Sequence, residues 1–152
     1  MKAEHDQDWD DPVTRAEWFG SQREAIQSYL ERESLSATEL DQEPAWCIPP
    51  VLAVWRLGVN GQATGWVIAG DVPTDHVLDP QLTSARQAAE VFGSRWREVA
   101  GYMSRGEAHP TIEIGSPAQW PALGDLLRRR AETILEWVGD DDLWQQGRRR
   151  AV

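Results

Sequence analysis

Reactive side chains are scarce in this chain, and their scarcity removes whole classes of chemistry. The one cysteine, Cys47, excludes an intrachain disulfide, and its place between Trp46 and Ile48 suits a small buried residue better than a nucleophile. The one lysine is Lys2, so a Schiff-base lysine, a Ser-Lys dyad and a P-loop lysine are not expected inside the fold. The patterns G-x-S-x-G, H-E-x-x-H and C-x-x-C do not occur. Long apolar runs are missing as well. The densest, Trp46 to Trp55, is short and interrupted by Pro49 and Pro50, so no bilayer span is expected. The opening MKAEHDQDWDD lacks the apolar core of a signal peptide, and the expected location is the cytoplasm. No internal repeat and no low-complexity block is found.

What the chain does have is acid and tryptophan. The net charge of -10 is unevenly spread. Residues 1–44 hold 12 acids against 4 bases, residues 45–80 hold 3 against 1, and residues 81–152 hold 10 of each. An acidic N-terminal face repels phosphate backbones, which argues against nucleic acid and for a basic protein partner. The same acidity also serves solubility. Nine tryptophans in 152 residues are expected as core and edge-of-core anchors, since indole joins a large apolar area to one N–H that needs a partner. Any left exposed would suit a homodimer.

The pattern along the chain predicts one α+β domain over 12–144, flanked by an acidic, poorly ordered arm (1–11) and a basic tail (145–152). Asp11-Pro12 offers an N-cap followed by proline at the first helical position. Trp18, Phe19, Ala25, Ile26, Tyr29 and Leu30 then mark one face of a helix to about Glu33. Ser36-Ala37-Thr38-Glu39 offers a capping box for a short turn. Val51 to Leu57 and Trp66 to Ala69 read as two strands of an antiparallel hairpin turned at Asn60-Gly61. Both are apolar at nearly every position, so the sheet is expected to be covered on one face and partly on the other.

Residues from Thr83 to Arg105 carry the clearest helical stripe, ended by Gly106. Gly93 and Gly101 within it are candidates for close approach by another element. Thr111 to Ile114 alternates as a third, edge strand. Ser116-Pro117 opens another helical segment, divided near Trp120-Pro121 and running to Val138. Arg128-Arg129-Arg130 reads as a solvated helix face, with Asp125 and Arg129 at i,i+4. Gly139 ends that helix, and Asp140-Asp141-Asp142 caps a last turn holding Leu143 and Trp144. Arg148-Arg149-Arg150 is too short for a nucleic-acid patch. The expected architecture is thus a central antiparallel hairpin, extended by one edge strand, packed by three main helices.

Candidate chemistry concentrates in one loop. Asp71, Thr74, Asp75, His76 and Asp79 follow the second strand, in a connection long enough to suggest function. They form the expected binding surface. Aspartates at a strand end also cap turns, and Thr74 and Asp75 suit local N–H groups. Gly58, Gly61 and Gly65 lack the spacing of a phosphate loop and read as a hairpin turn. A second possibility is a metal-assisted hydrolase, which requires the Asp71–His76 loop to meet the turn holding Glu107 and His109, so that carboxylates and imidazoles share an ion. His5, the remaining histidine, falls in the arm. No cofactor is expected.

Pro44-Ala45-Trp46, Trp55, Trp66-Val67-Ile68-Ala69-Gly70-Asp71-Val72-Pro73-Thr74-Asp75, Arg95-Trp96, Gly106-Glu107-Ala108-His109-Pro110, Ile114-Gly115, and Arg130-Ala131-Glu132 with Glu136-Trp137 together resemble a family of small bacterial proteins of unknown function. The similarity runs from about Trp18 to Trp144, and its core is W-x-I-x-G-D-x-P-T-D. The resemblance implies a bacterial, single-domain, cytoplasmic protein and supplies no activity. It also associates tyrosine with the position of His76, a departure that weakens a catalytic role for this histidine. The reading that follows is a non-catalytic interaction module, of which an immunity or antitoxin protein neutralising a basic partner is one version.

Overall fold

The computed structural model describes residues 8–35, 38–59, 62–108, 110 and 120–145. Its elements are α1 (Pro12–Arg32), β1 (Glu39–Leu40), β2 (Trp46–Ile48), β3 (Leu52–Val59), β4 (Gln62–Gly70), β5 (Asp75–Val77), α2 (Ala85–Ser104) and α3 (Trp120–Val138), with a short helix α4 over 141–145. This is an α+β fold with an antiparallel sheet ordered β1-β3-β4-β5, in which β2 shares with β1 one edge of β3.

The β3–β4 hairpin is the centre of the sheet, and its alternation fixes the layers. In register, Val54 faces Ile68, Trp55 faces Val67 and Ala53 faces Ala69. Successive strand residues point to opposite faces. Leu52, Val54, Trp66 and Ile68 pack under α2 and α3, around Phe92, Trp96 and Ile134. Cys47, Ala53, Trp55, Leu57, Val67 and Ala69 pack under Phe19, Ile26 and Leu30 of α1. Helices therefore cover both faces, more completely than the sequence pattern suggests. Near-continuous apolar strands are what burial on both faces requires.

Local signals explain where elements start and stop. The Asp11 side chain accepts from the Thr14 amide, and Pro12 opens α1. The hydroxyl and amide of Thr14 hold the Asp11 carboxyl below its usual range. Ser84 and Gln87 form a reciprocal capping box on α2, so the helix starts at Ala85 and not at Thr83 as the apolar stripe suggests. At the other end the Gly106 N–H donates to Met103 and the Glu107 N–H to Tyr102, with Gly106 at φ 71°. This pair of bonds is a Schellman cap. Asp140 accepts from the Leu143 amide and so caps α4.

The α2–α3 contact is close because side chains are missing at two points. A Cβ on Gly93 would lie 2.8 Å from Leu135 Cγ, and one on Gly124 would lie 2.9 Å from Met103 Cβ. Gly101, expected to serve the same purpose, would meet only the Arg105 guanidinium at 3.6 Å. Gly124, which the sequence reading missed, takes that place.

Three strands lie outside the expected hairpin. β1 and β2 occupy what reads as a polar turn and the start of an apolar run, and β5 occupies the connection after Asp71. Gly70 makes β5 possible. It sits at φ 130°, where a Cβ would lie 2.5 Å from the Val51 carbonyl oxygen, so the chain bends back beside β4. Ser36, Ala37, the Asn60-Gly61 turn, the expected strand at Thr111–Ile114, Ser116-Pro117 and Arg148–Arg150 lie outside the described residues. In the expected arm, residues 8–11 form a turn that sets Trp9 edge-on to Trp18 at 5.7 Å.

Candidate functional site

The Asp71–Asp79 loop divides its polar groups between different neighbours. Asp71 leaves the sheet beside Arg130, which donates to its carboxylate at 2.8 Å and to its carbonyl at 3.0 Å. The Asp71 side chain is 73% exposed. This contact closes the rim of an apolar hollow of about 230 Å³ lined by Val72, Pro73, Leu123, Leu126 and Leu127. Asp79 accepts from the Gln81 amide and turns the chain toward α2. Thr74 is half-buried between them.

Asp75 and His76 are strand neighbours and so point to opposite faces. The Asp75 carboxylate accepts from Trp96 Nε1 at 3.0 Å, from the His76 amide at 2.8 Å and from Arg95 at 3.3 Å. Arg95 also donates to the His76 carbonyl at 2.9 Å. On the other face, His76 Nδ1 shares a 2.6 Å hydrogen bond with the Tyr29 hydroxyl of α1. Burial, then the negative charge of Asp75, pushes the Tyr29 hydroxyl well above the ordinary tyrosine range. These bonds tie β5 to α1 on one side and to α2 on the other.

That geometry bears on the metal-assisted reading. Asp75 already serves several donors, and His76 is turned away from it toward α1. Glu107 is exposed and pairs with Arg105 at 3.1 Å. His5 and His109 lie outside the described residues. Among the described residues, no group of three or more acids, histidines or cysteines is placed to hold an ion.

A different place in the fold gathers unused polar groups. At the end of the sheet where β2 and β3 meet α4 and the start of α2, a cleft of about 580 Å³ is lined by Trp46, Trp66, Trp144, Arg56, Arg86 and Asp41, among others. The Trp46 and Trp144 rings stack with centroids 4.0 Å apart. Arg56 lies over Trp66 at 5.4 Å. The two residues face each other in the hairpin register. Arg86 lies over Trp144 at 5.9 Å and bonds Asp141 at 2.6 Å and the Val138 carbonyl at 2.8 Å. Trp66 donates to the Leu82 carbonyl and Trp144 to the Trp137 carbonyl. Buried Trp46 Nε1 has no acceptor. The sequence held one signal of this site, a lone arginine within the apolar run Val51–Leu57, but its value depends on pairing with Trp66.

The outer surface of the α1 layer is acidic. Glu17, Glu24 and Glu31 recur every seven residues and lie along one stripe of the helix, and Glu33, Glu39, Asp41 and Glu43 continue the acid toward β2. All seven are exposed, and none forms an ion pair among the described residues. The six arginine–carboxylate pairs among the described residues all lie between residues 71 and 141. Of the nine tryptophans, five are buried, and Trp9, Trp18, Trp120 and Trp137 are partly exposed. No described helix is long and apolar enough to cross a membrane.

No curated protein and no solved structure matches the chain significantly. A family model does, over residues 13–144, and it takes in every described helix and strand apart from Pro12 and the last residue of α4. The chain belongs to the family described as a domain of unknown function, DUF4826.

Proposed function

We propose that this protein is a non-catalytic interaction module that recognises a basic protein partner through the acidic surface of α1 and the β1–β2 segment, as an immunity or antitoxin protein does. The observation that carries this reading is the set of seven exposed carboxylates without ion-pair partners on α1 and the β1–β2 segment, in a part of the chain where acids outnumber bases 12 to 4, against 10 of each in residues 81–152. Unpaired like charges on one face give a long-range field that accelerates encounter with a cation-rich surface and weakens as salt rises. The Asp71–Asp79 loop contributes at its exposed member, Asp71, and at half-buried Asp79, while Asp75 and His76 hold the strand that presents them.

Affinity capture from the native host at about 50 mM and about 500 mM salt tests this, since the range takes the screening length from well above to well below about 10 Å. The expected result is a basic protein retained at low salt, released at high salt, and lost when Glu17, Glu24 and Glu31 are changed to lysine. A partner held equally at both salts, or equally by the lysine variant, overturns the reading.

A further inference from the structure

The cleft between β2, β3, α2 and α4 carries an inference separate from the acidic face, with which it shares only Asp41. Four charged groups line it: Arg56, Arg86, Asp41 and Asp141. Arg86 and Asp141 neutralise each other at 2.6 Å. Arg56 and Asp41 have no hydrogen-bond or ion-pair partner among the described residues. They are nevertheless close in the topology. Leu40 of β1 pairs with Leu57 of β3, so one step further along the two chains brings Asp41 abreast of Arg56 at the lip of the cleft. The site therefore offers one free cation and one free anion side by side. A ligand carrying only one charge would satisfy one of them and strip water from the other without replacing it.

The rest of the lining narrows the class further. The apolar part of the lining is the small exposed remainder of three indoles, Trp46, Trp66 and Trp144, which are 2%, 3% and 8% exposed, and indole favours aromatic rings in offset or edge contact. Trp46 is only 2% exposed, yet its N–H has no acceptor. A buried donor of that kind is normally satisfied in a native structure. That nitrogen is itself closed to solvent, so the orphan donor belongs to the Trp46–Trp144 packing and not to a ligand in the cleft. The volume of about 580 Å³ lies in the range of about 300–1,000 Å³ that small-molecule sites occupy.

We propose that this cleft binds an α-amino acid with an aromatic side chain, its carboxylate held by Arg56, its ammonium by Asp41 and its ring against the indole wall. Guanidinium and carboxylate match as a two-pronged pair. The ammonium group distinguishes this ligand from a simple aromatic acid.

Calorimetry on the full chain with L-phenylalanine tests the proposal, with L-phenylalaninamide lacking the carboxylate, N-acetyl-L-phenylalanine lacking the ammonium, and benzoate lacking both the ammonium and the side-chain geometry. The expected result is saturable binding of phenylalanine and a loss of about tenfold or more for each analogue. Arg56→Gln and Asp41→Asn are expected to weaken phenylalanine by a similar factor with unchanged thermal unfolding, since both side chains are exposed. Absence of saturable binding by phenylalanine, tyrosine and tryptophan alike overturns the proposal. Equal binding of benzoate or the N-acetyl analogue overturns the role of the ammonium. Undiminished binding by both variants places any site elsewhere and overturns the assignment to this cleft.

Discussion

On each face of the sheet a fully buried tryptophan bridges strand and helix, Trp55 from β3 toward α1 and Trp96 from α2 toward β5, and the two faces differ in what accepts its N–H. Under α1, Trp55 donates to the neutral side chain of Gln22 at 3.0 Å. From α2, Trp96 donates to the carboxylate of Asp75 in β5, which Arg95 also holds. The contrast extends to charge, since residues 1–44 hold 12 acids against 4 bases and residues 81–152 hold 10 of each, and every arginine–carboxylate pair among the described residues lies between residues 71 and 141. The α2–α3 part of the chain is thus balanced in charge, and the α1 part carries the excess acid. The clearest way to break the comparison is Asp75→Ala. It strands the Trp96 N–H and removes the carboxylate facing the Arg95 guanidinium. The expected cost is about 3 kcal/mol, measured by urea unfolding, with Asp75→Asn intermediate. A cost below about 1 kcal/mol would mean that the charged network is not what holds β5 to α2.

Gln22→Leu asks the same question of the neutral face. The substitution strands the Trp55 N–H, but it also removes Gln22 Nε2, which is itself buried without a partner. One orphan replaces another, so the expected loss is about 1 kcal/mol. If it equals the loss from Asp75→Ala, the two faces do not differ in the way their chemistry suggests.

Tyr29 and His76 join α1 to β5, and they make the comparison sensitive to pH. Burial raises the Tyr29 hydroxyl above its ordinary value. The unfolded chain therefore releases this proton near pH 10, while the folded chain keeps it to higher pH. Between those two points the folded state binds more protons, so stability falls as pH rises. Below about pH 10 both states are protonated and the effect vanishes. Tyr29→Phe is expected to lower stability at neutral pH through the lost bond to His76 and to flatten the decline above pH 10, as read from unfolding midpoints at pH 8, 10 and 11. An alkaline decline of the same slope in the variant would assign it to other groups.

Much of this architecture is visible in the sequence, and the gaps have physical causes. The caps at Asp11 and Gly106, the helical stripe of α2 and the β3–β4 hairpin follow from local rules, because each depends on residues a few positions apart. β5 escapes those rules because Asp75-His76-Val77 has no apolar alternation; it is held by bonds to Tyr29, Arg95 and Trp96, far away in sequence. The candidate loop was visible as a cluster of polar residues, but not the division of Asp75 and His76 between two faces, which follows from their becoming a strand. The cleft is hidden for a similar reason. Arg56, Trp66 and Trp144 come together only through the hairpin register and the return of α4.

The smallest expected effects lie on the surface, where the comparison is sharpened by sign. Asp125 on α3 meets Arg128 at 2.6 Å and Arg129 at 3.2 Å, and all three side chains are about half exposed or more. Asp125→Ala is expected to cost about 0.5 kcal/mol, the scale of exposed helix pairs. Changing Glu17, Glu24 and Glu31 together to glutamine removes three negative charges from a layer where they have no partner, so the change in stability is expected within about 0.5 kcal/mol and in the stabilising direction. Unfolding at low and high salt separates the two cases. Added salt weakens the attraction that Asp125 supplies and also the repulsion among the α1 glutamates, so both differences from wild type shrink from opposite sides. A destabilised glutamine variant would mean that the α1 acids already serve the fold, and the outward charge would then no longer be free for a partner.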